Sequence, residues 1–199
     1  LGTQELLEKE YDILLATDPD ADRVGVVVRH HGKAQTLTGN QIASIMAEWI
    51  LKRLYEEGRL PPKPALIKSI VTTPLLSRIA EYWNVDCFDV LTGFKYVAEK
   101  IRHWEENKED GYSFVFGGEE SLGFLYGTYT RDKDAIVSSC VLSEIAAHFK
   151  QQKRTLVDAL HDIWKKYGVF AERVKTVAFS ETKEGKDRMH ACMEALRMT

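Results

Sequence analysis

The chain alternates short apolar runs with longer segments whose apolar residues recur every three or four positions. The short runs have the length and composition of buried strands, and the longer segments have the periodicity of amphipathic helices. Alternation of this kind is typical of layered folds in which helices cover a sheet, so an α/β fold is predicted. The predicted strands include Ile13–Thr17, Val24–His30, Ala65–Thr72, Asp86–Leu91 and Ser113–Phe116.

The composition argues against several classes of protein. The 199 residues are 44% hydrophobic and 29% charged, which is ordinary for a globular protein. A formal net charge of −3 does not favour a nucleic-acid partner. No apolar run approaches the roughly 20 residues that a membrane span needs, so neither nucleic acid nor membrane is an expected partner. The cysteines (Cys87, Cys140 and Cys192) are odd in number and far apart, which predicts a reducing, cytoplasmic location.

Three carboxylates follow the first apolar run at every second position. Asp18, Asp20 and Asp22 occupy a loop in which Arg23 comes next. If the loop curls, the three carboxylates converge and repel one another unless a cation joins them. Oxygen ligands favour a hard divalent ion, and Mg²⁺ is the predicted cofactor. Arg23 offers a planar set of donors suited to phosphate. The loop is expected at the carboxyl end of a strand, the edge where open α/β sheets place their ligands. The plainer interpretation is a solvated acidic turn after a strand.

Two other classes of protein use similar acids. An EF-hand loop that starts at Asp18 needs glycine at its sixth position and glutamate at its twelfth. Arg23 and Arg29 stand there, so that class is excluded. Phosphatases of the haloacid dehalogenase type place DxDx[TV] after an apolar strand, with the first aspartate as nucleophile. Asp22 stands in place of the final Thr or Val, and this class stays open as an alternative with Asp18 as nucleophile.

A glycine-flanked loop after the strand Ser113–Phe116 places two polar side chains two positions apart. Glu119 and Ser121 could direct a charged acceptor and a hydroxyl at one ligand, as polyol recognition requires. The intervening Glu120 is expected to face away, so that its replacement would change little. A plain turn is the simpler alternative.

Two further segments hold candidate polar groups in front of helices. Lys133 lies in a dense run of charges, where it could hold a phosphate or a hydroxyl. Its neighbours Asp132 and Asp134 are candidates for the helix N-cap. Thr92 and Gly93 precede another helix, whose first amides could face an anion, although a simple helix start explains them equally well.

Taken together and in this order, these motifs resemble those of the α-D-phosphohexomutase family. The matching segments are TDPDADRVG at Thr17–Gly25, LTGN at Leu37–Asn40, TGFK at Thr92–Lys95, GEESLG at Gly118–Gly123 and RDKDA at Arg131–Ala135. The resemblance covers nearly the whole chain. It implies the family's third domain, a layered mixed sheet flanked by helices, with partial flanking domains.

The resemblance also implies a role for each candidate residue. The family uses a phosphoserine and Mg²⁺ to move a phosphoryl group between two positions of a sugar, through a sugar bisphosphate. It assigns Mg²⁺ to the three aspartates, the phosphoryl group to Arg23, and substrate contact with possible proton transfer to Lys133. Sugar binding falls to the remaining candidates: Thr92, Gly93, Glu119 and Ser121.

Two family motifs have no counterpart in this sequence. Neither the serine motif Thr-x-Ser-His-Asn-Pro nor the phosphate loop Arg-x-Ser-Gly-Thr-Glu-Pro occurs. The chain is therefore expected to be the central part of such an enzyme, inactive alone and weak in metal binding. The predicted parts are the end of a second domain with the metal loop (1–33), a third domain (34–167), and a linker with the start of a fourth domain (168–199).

The expected function is a hexose 1-phosphate/6-phosphate mutase, with glucose as the expected sugar. The expected partners are the phosphosugar, its bisphosphate intermediate and the remaining domains of a parent chain. A phosphopentomutase or a sugar-bisphosphate synthase of the same family is an alternative. A metal- or sugar-binding module without catalysis is an alternative from a different class.

Overall fold

The computed structural model describes residues 2–107, 109, 111–173 and 177–198. The strands are β1 (Ile13–Thr17), β2 (Val24–His30), β3 (Lys33–Leu37), β4 (Pro64–Ser69), β5 (Asp86–Val90), β6 (Ser113–Gly118) and β7 (Phe124–Tyr126). The helices are α1 (Gly2–Glu8), α2 (Gly39–Glu56), α3 (Leu75–Tyr82), α4 (Phe94–Glu106), α5 (Ala135–Gln151), α6 (Leu156–Tyr167) and α7 (Lys183–Arg197). None of the described helices has the length and apolar character needed to cross a lipid bilayer.

The first sheet is a three-stranded antiparallel meander in the order β1-β2-β3. β2 and β3 are joined through His31 and Gly32, whose φ angles of 49° and 73° suit a tight two-residue hairpin. The acidic loop joins β1 to β2 and is therefore a loop between antiparallel strands. The expectation that it sits at the carboxyl end of an open α/β sheet was wrong, because apolar content alone does not distinguish parallel from antiparallel strands.

The second sheet has the order β5-β4-β6-β7 and is mixed. β4 is parallel to both β5 and β6, whereas β7 runs antiparallel to β6. β7 was not predicted, because its three residues are too few to show the two-residue periodicity of a strand. The predicted α/β fold with a mixed sheet flanked by helices is confirmed.

Alternate residues of β4 face two separate hydrophobic clusters. Leu66 belongs to the larger cluster, which includes buried residues of α2, α3, α5 and α6. Ala65 and Ile67 belong to the smaller one, with Phe94 and Val97 of α4. Every residue from Ala65 to Ser69 is buried, as expected for a strand covered on both faces. The sheet therefore forms the middle layer between helices.

The three parallel strands end at the same edge of this sheet. β4 was predicted to continue to Thr72, but it ends at Ser69, where the Thr72 amide donates to the Ser69 carbonyl at 3.0 Å. The segments that follow β4, β5 and β6 therefore lie together at the carboxyl edge. This edge is where open α/β sheets bind their ligands.

The start of α2 lies against the segment that follows β6. Thr38 caps the helix, and its hydroxyl and the Gln41 side chain form a capping box. At the next residue, Gly39, a Cβ atom would lie 2.0 Å from the Glu120 carbonyl oxygen. Glycine is thus required here by the close approach of two backbones.

We expect Gly39→Ala to lower the free energy of unfolding by about 1–3 kcal/mol, because the added methyl group forces the two backbones apart. Gly25→Ala in β2 is the matched control, since the nearest atom to its added Cβ, the Ala16 carbonyl oxygen, lies 3.8 Å away. Urea unfolding of both variants measures the difference. Equal effects of the two substitutions would contradict the close approach.

Candidate functional site

The acidic loop is folded back on itself by Asp18. Its side-chain Oδ1 accepts hydrogen bonds from the amides of Asp22 and Arg23, both at 3.1 Å. Its carbonyl accepts from the amide of Ala21, which has a φ of 54°. As a result, one carboxylate oxygen from each of Asp18, Asp20 and Asp22 lies within 4.8 Å of the others.

The electrostatics of this loop fit a bound cation. Burial alone would raise the pKa of Asp18, but the hydrogen bonds from Arg23 and Asp22 outweigh it and lower that pKa. Oδ1 of Asp22 is buried and has no hydrogen-bond donor among the described residues. The nearby Arg23 Nε lies 3.5 Å from it, outside hydrogen-bond geometry. A buried carboxylate oxygen without a hydrogen bond, beside two further carboxylates, is the kind of ligand set that a hard divalent cation prefers.

Lys133 lies between the acidic loop and the loop that carries Glu119. Its Nζ is 2.9 Å from Oδ2 of Asp22 and 3.0 Å from Oδ1 of Asp132. Partial burial pushes the pKa of Lys133 down, but its hydrogen bonds to Asp22 and Asp132 outweigh this and raise it. Lys133 is therefore a stable cation in this arrangement, and it is better suited to supply charge than to act as a general base.

The loop 118–123, here called the GEES loop, contacts the loop that follows β5. Glu119 is only 6% exposed, and its Oε1 accepts from the Gly93 amide at 2.8 Å. Gly93 has a φ of 118°, which favours glycine. Ser121 makes no side-chain hydrogen bond among the described residues, so its hydroxyl is free for a ligand. Thr92 is exposed, and the described residues offer its side chain no partner.

Backbone hydrogen bonds join the acidic loop to both neighbouring loops. Arg23 and Gly123 form an isolated antiparallel bridge, and the Val24 amide donates to the Leu122 carbonyl at 3.1 Å. The Ala135 amide, at the start of α5, donates to the Ala21 carbonyl at 2.9 Å. The candidate residues, about 115 positions apart in the sequence at the extremes, therefore lie in loops that contact one another.

Charged residues on both sides of Lys133 anchor the segment that precedes α5. Arg131 binds both carboxylate oxygens of Glu105 on α4, at 2.6 and 2.7 Å. Asp134 caps α5 through the Val137 amide and accepts a hydrogen bond from the Tyr129 hydroxyl. These contacts fix the backbone on both sides of Lys133.

Sequence reasoning missed two residues beside this site and misjudged a third. Asp132 was considered only as a cap, but it pairs with Lys133. Lys68, almost fully buried at the end of β4, pairs with Asp89 at 2.7 Å, and only its position within a strand rich in apolar residues could have signalled it. Glu120 was expected to face away from the site, and sequence reasoning did not foresee that its carboxylate accepts hydrogen bonds from the buried hydroxyl groups of Ser69 and Thr72.

Residues 38–167 match the family model described as phosphoglucomutase/phosphomannomutase, alpha/beta/alpha domain III. The chain belongs to this phosphohexomutase family. The matched segment runs from the N-cap of α2 to the last residue of α6. The acidic loop precedes it, and the boundaries expected at 33/34 and 167/168 stay predictions.

Proteins similar to this chain include curated phosphoglucomutase sequences and solved structures of phosphohexomutases. The phosphoglucomutase of Staphylococcus epidermidis is 38% identical over 187 residues, which cover 94% of this chain and 33% of that protein. A putative phosphomannomutase from Thermus thermophilus has 27% identity and a TM-score of 0.64, over 84% of this chain and 34% of that one. The chain thus spans about a third of the length of the curated relatives it matches.

A more distant structure shares the fold alone. The N-acetylphosphoglucosamine mutase of Aspergillus fumigatus, solved with GlcNAc-6P and magnesium, has 14% identity and a TM-score of 0.57. The match covers 80% of this chain and 36% of that one.

We expect Asp20→Asn to raise the free energy of unfolding without metal by up to about 1 kcal/mol, because it relieves repulsion among three close carboxylates. Millimolar Mg²⁺ should then stabilise the unsubstituted chain more than the variant, since ligands stabilise the state that binds them. Asp86→Asn, an exposed change on β5, is the control. Equal stabilisation of all three proteins by Mg²⁺, measured by thermal unfolding, would contradict a metal site at this loop.

Proposed function

We propose that this chain is the metal-holding and sugar-recognition part of a phosphosugar mutase that interconverts hexose 1-phosphate and hexose 6-phosphate, with glucose as the preferred sugar. The observation that carries the proposal is the contact of the acidic loop with the GEES loop through Arg23 and Gly123, and with Lys133 through Asp22. This contact sets anion-binding and hydroxyl-binding groups side by side. Relatives of up to 38% identity that are named phosphoglucomutase support it.

The acidic loop would hold Mg²⁺ through Asp18, Asp20 and Asp22. When bound, such an ion supplies positive charge that neutralises phosphoryl oxygens. The fungal N-acetylphosphoglucosamine mutase that shares this fold was solved in complex with magnesium. Arg23, with about half of its side chain exposed, is free to bind phosphoryl oxygens with its planar donors. The phosphoserine would come from a part of the parent protein outside this sequence.

The GEES loop would bind the sugar. Glu119 supplies a charged acceptor, whereas Ser121 supplies a hydroxyl that can donate or accept. The Glu119 contact with the Gly93 amide draws the Thr92–Gly93 segment to the same place. Contacts directed at hydroxyl groups suit a substrate that must bind in two orientations, once for each phosphate position.

Lys133 would contribute charge near the transferred group. Its raised pKa keeps it protonated near neutral pH, so it can stabilise negative charge and donate a hydrogen bond. Phosphoryl transfer depends mainly on positioning and on charge neutralisation. Proton transfer by Lys133 would require that its contacts with Asp22 and Asp132 first loosen.

The alternatives differ in how they use the same residues. A phosphopentomutase or a sugar-bisphosphate synthase would use the same metal and sugar loops. A non-catalytic module would use them for binding alone. The dehalogenase-type alternative needs Asp18 as a nucleophile. Oδ1 of Asp18 already accepts two backbone hydrogen bonds that shape the loop, which argues against that alternative.

The proposal extends to partners and location. The phosphosugar and its bisphosphate would bind at the carboxyl edge of the second sheet. The remaining domains of a parent protein would supply the phosphoserine and close the site. A cytoplasmic location is supported by three free cysteines, two of them exposed.

In the full-length enzyme that carries this segment, we expect Glu119→Ala to lower kcat/KM for glucose 1-phosphate by about 10–200-fold, the value of a charge-assisted hydrogen bond. Glu119→Gln should lower it by only about tenfold, because the amide oxygen still accepts from Gly93 while the charge is lost. Glu184→Ala, an exposed change on α7, is the control. Steady-state kinetics measures all three.

The isolated 199-residue chain should show no mutase turnover, because it lacks the serine motif. Steady release of inorganic phosphate by the chain alone would favour the dehalogenase-type alternative instead. If full-length Glu119→Ala and Glu119→Gln both retain unchanged kcat/KM, the GEES loop does not bind the sugar and the proposal fails.

A further inference from the structure

Glu120 is held by a pair of buried hydroxyl groups, one at the end of β4 and one in the turn that follows it. Its Oε2 accepts hydrogen bonds from Ser69 Oγ at 3.0 Å and from Thr72 Oγ1 at 3.1 Å. The backbone amide of Glu120 donates in return to Thr72 Oγ1 at 3.2 Å. Ser69 and Thr72 are at most 1% exposed. The two hydroxyl oxygens also lie 2.8 Å apart, so the Glu120 carboxylate completes a buried hydrogen-bonded cluster and is built into the fold.

The turn that receives Glu120 is itself fixed on its other sides. The buried Lys68 donates from Nζ to the Thr72 carbonyl at 3.2 Å and pairs with Asp89 on β5. Oδ1 of Asn40 on α2 accepts from the Thr73 amide at 3.1 Å. The turn is thus tied to β5 and α2, and it offers Glu120 a rigid anchor.

The neighbouring Glu119 has a different anchor. Its Oε1 accepts from the Gly93 amide in the segment after β5, whereas Glu120 binds the turn after β4. The Glu120 carbonyl also lies against Gly39, where even a methyl group has no room. Two consecutive carboxylates therefore hold one loop to two different strand ends, and the backbone between Glu119 and Ser121 has little freedom.

We propose that Glu120 is a positioning residue of the sugar-recognition loop, whose carboxylate, bound by Ser69 and Thr72, sets the placement of Glu119 and Ser121. The inference rests on the proposed function and deepens it. Glu120 acts through its neighbours and need not touch the sugar. Because a displacement of about 1 Å at a binding group can cost on the order of 100-fold in rate, the anchor has a kinetic consequence.

The test compares Glu120→Ala with Glu120→Gln in the full-length enzyme. We expect Glu120→Ala to lower kcat/KM for glucose 1-phosphate by about 10–100-fold. We also expect it to reduce the preference for glucose 1-phosphate over mannose 1-phosphate, because the hydroxyl-binding groups are no longer placed accurately. Glu120→Gln should keep most of the activity and the preference, since its amide oxygen accepts the same two hydroxyl groups. A purely structural role would lower the melting temperature but leave the preference unchanged, and that result would overturn the proposal.

A second measurement uses the 199-residue chain and needs no turnover. The amide of Gly93, 2.8 Å from Glu119 Oε1, reports the position of Glu119 in a ¹⁵N–¹H spectrum. Glu120→Ala should shift this resonance, although residue 120 makes no hydrogen bond to Gly93, whereas Glu120→Gln and the control Glu184→Ala should leave it nearly in place. An unchanged Gly93 resonance in Glu120→Ala would contradict the proposal.

The outcomes also separate this inference from the proposed function. If Glu119→Ala impairs hexose phosphate turnover but Glu120→Ala affects neither rate nor preference, the positioning role alone is wrong. If the full-length enzyme does not turn over hexose phosphates at all, the proposed function fails, and the Gly93 resonance still decides whether Glu120 places Glu119.

Discussion

The ion pair between Lys133 and Asp22 joins the parts of this structure on which the candidate site depends. Asp22 belongs to the loop between two antiparallel strands, whereas Lys133 precedes a helix more than a hundred positions later. Gly123 of the GEES loop lies against Lys133, because a Cβ atom added at Gly123 would lie 2.1 Å from Cδ of Lys133. Three distant segments thus meet at one partly buried cation, and each constrains the other two.

This arrangement leaves the acidic loop with more negative charge than its neighbours neutralise. Lys133 pairs with one oxygen of Asp22, and the other oxygen is buried without a hydrogen bond. Sites built for a ligand commonly lower stability in its absence, because groups that bind the ligand repel one another without it. The negative charge that suits a divalent cation therefore lowers the free energy of unfolding when no cation is bound.

The sequence predicted most of the secondary structure because its periodicities are strong. The helix α2 begins at Gly39, directly after its cap Thr38, whose hydroxyl forms a capping box with Gln41. The fold class and the family followed from the alternation of elements and from five short motifs. The antiparallel setting of the acidic loop could not be read from the apolar run, because pairing direction depends on residues that are distant in sequence.

The assignment of neighbouring side chains was less predictable. Glu119 and Glu120 bind different partners, but the spacing of the loop residues could not show what Glu120 faces. That partner is a pair of hydroxyl groups about 50 residues earlier. Ser69 ends β4, whereas Thr72 was predicted to lie in the strand and lies in the turn after it. Lys68 was missed for a similar reason, since a lysine within an apolar run indicates burial but does not show that Asp89 on the neighbouring strand is its partner.

The most direct test of this account is a double-mutant cycle between Asp22 and Lys133 in the metal-free chain, measured by urea unfolding. The variants are Asp22→Asn, Lys133→Met and the double variant, and the exposed pair Asp12 and Lys150, 2.6 Å apart, serves as the comparison. The account predicts a coupling energy of about 1–3 kcal/mol for the partly buried pair of Asp22 and Lys133 and less than about 1 kcal/mol for the exposed pair. Effects of Asp22→Asn and Lys133→Met that add to within about 0.5 kcal/mol would contradict it.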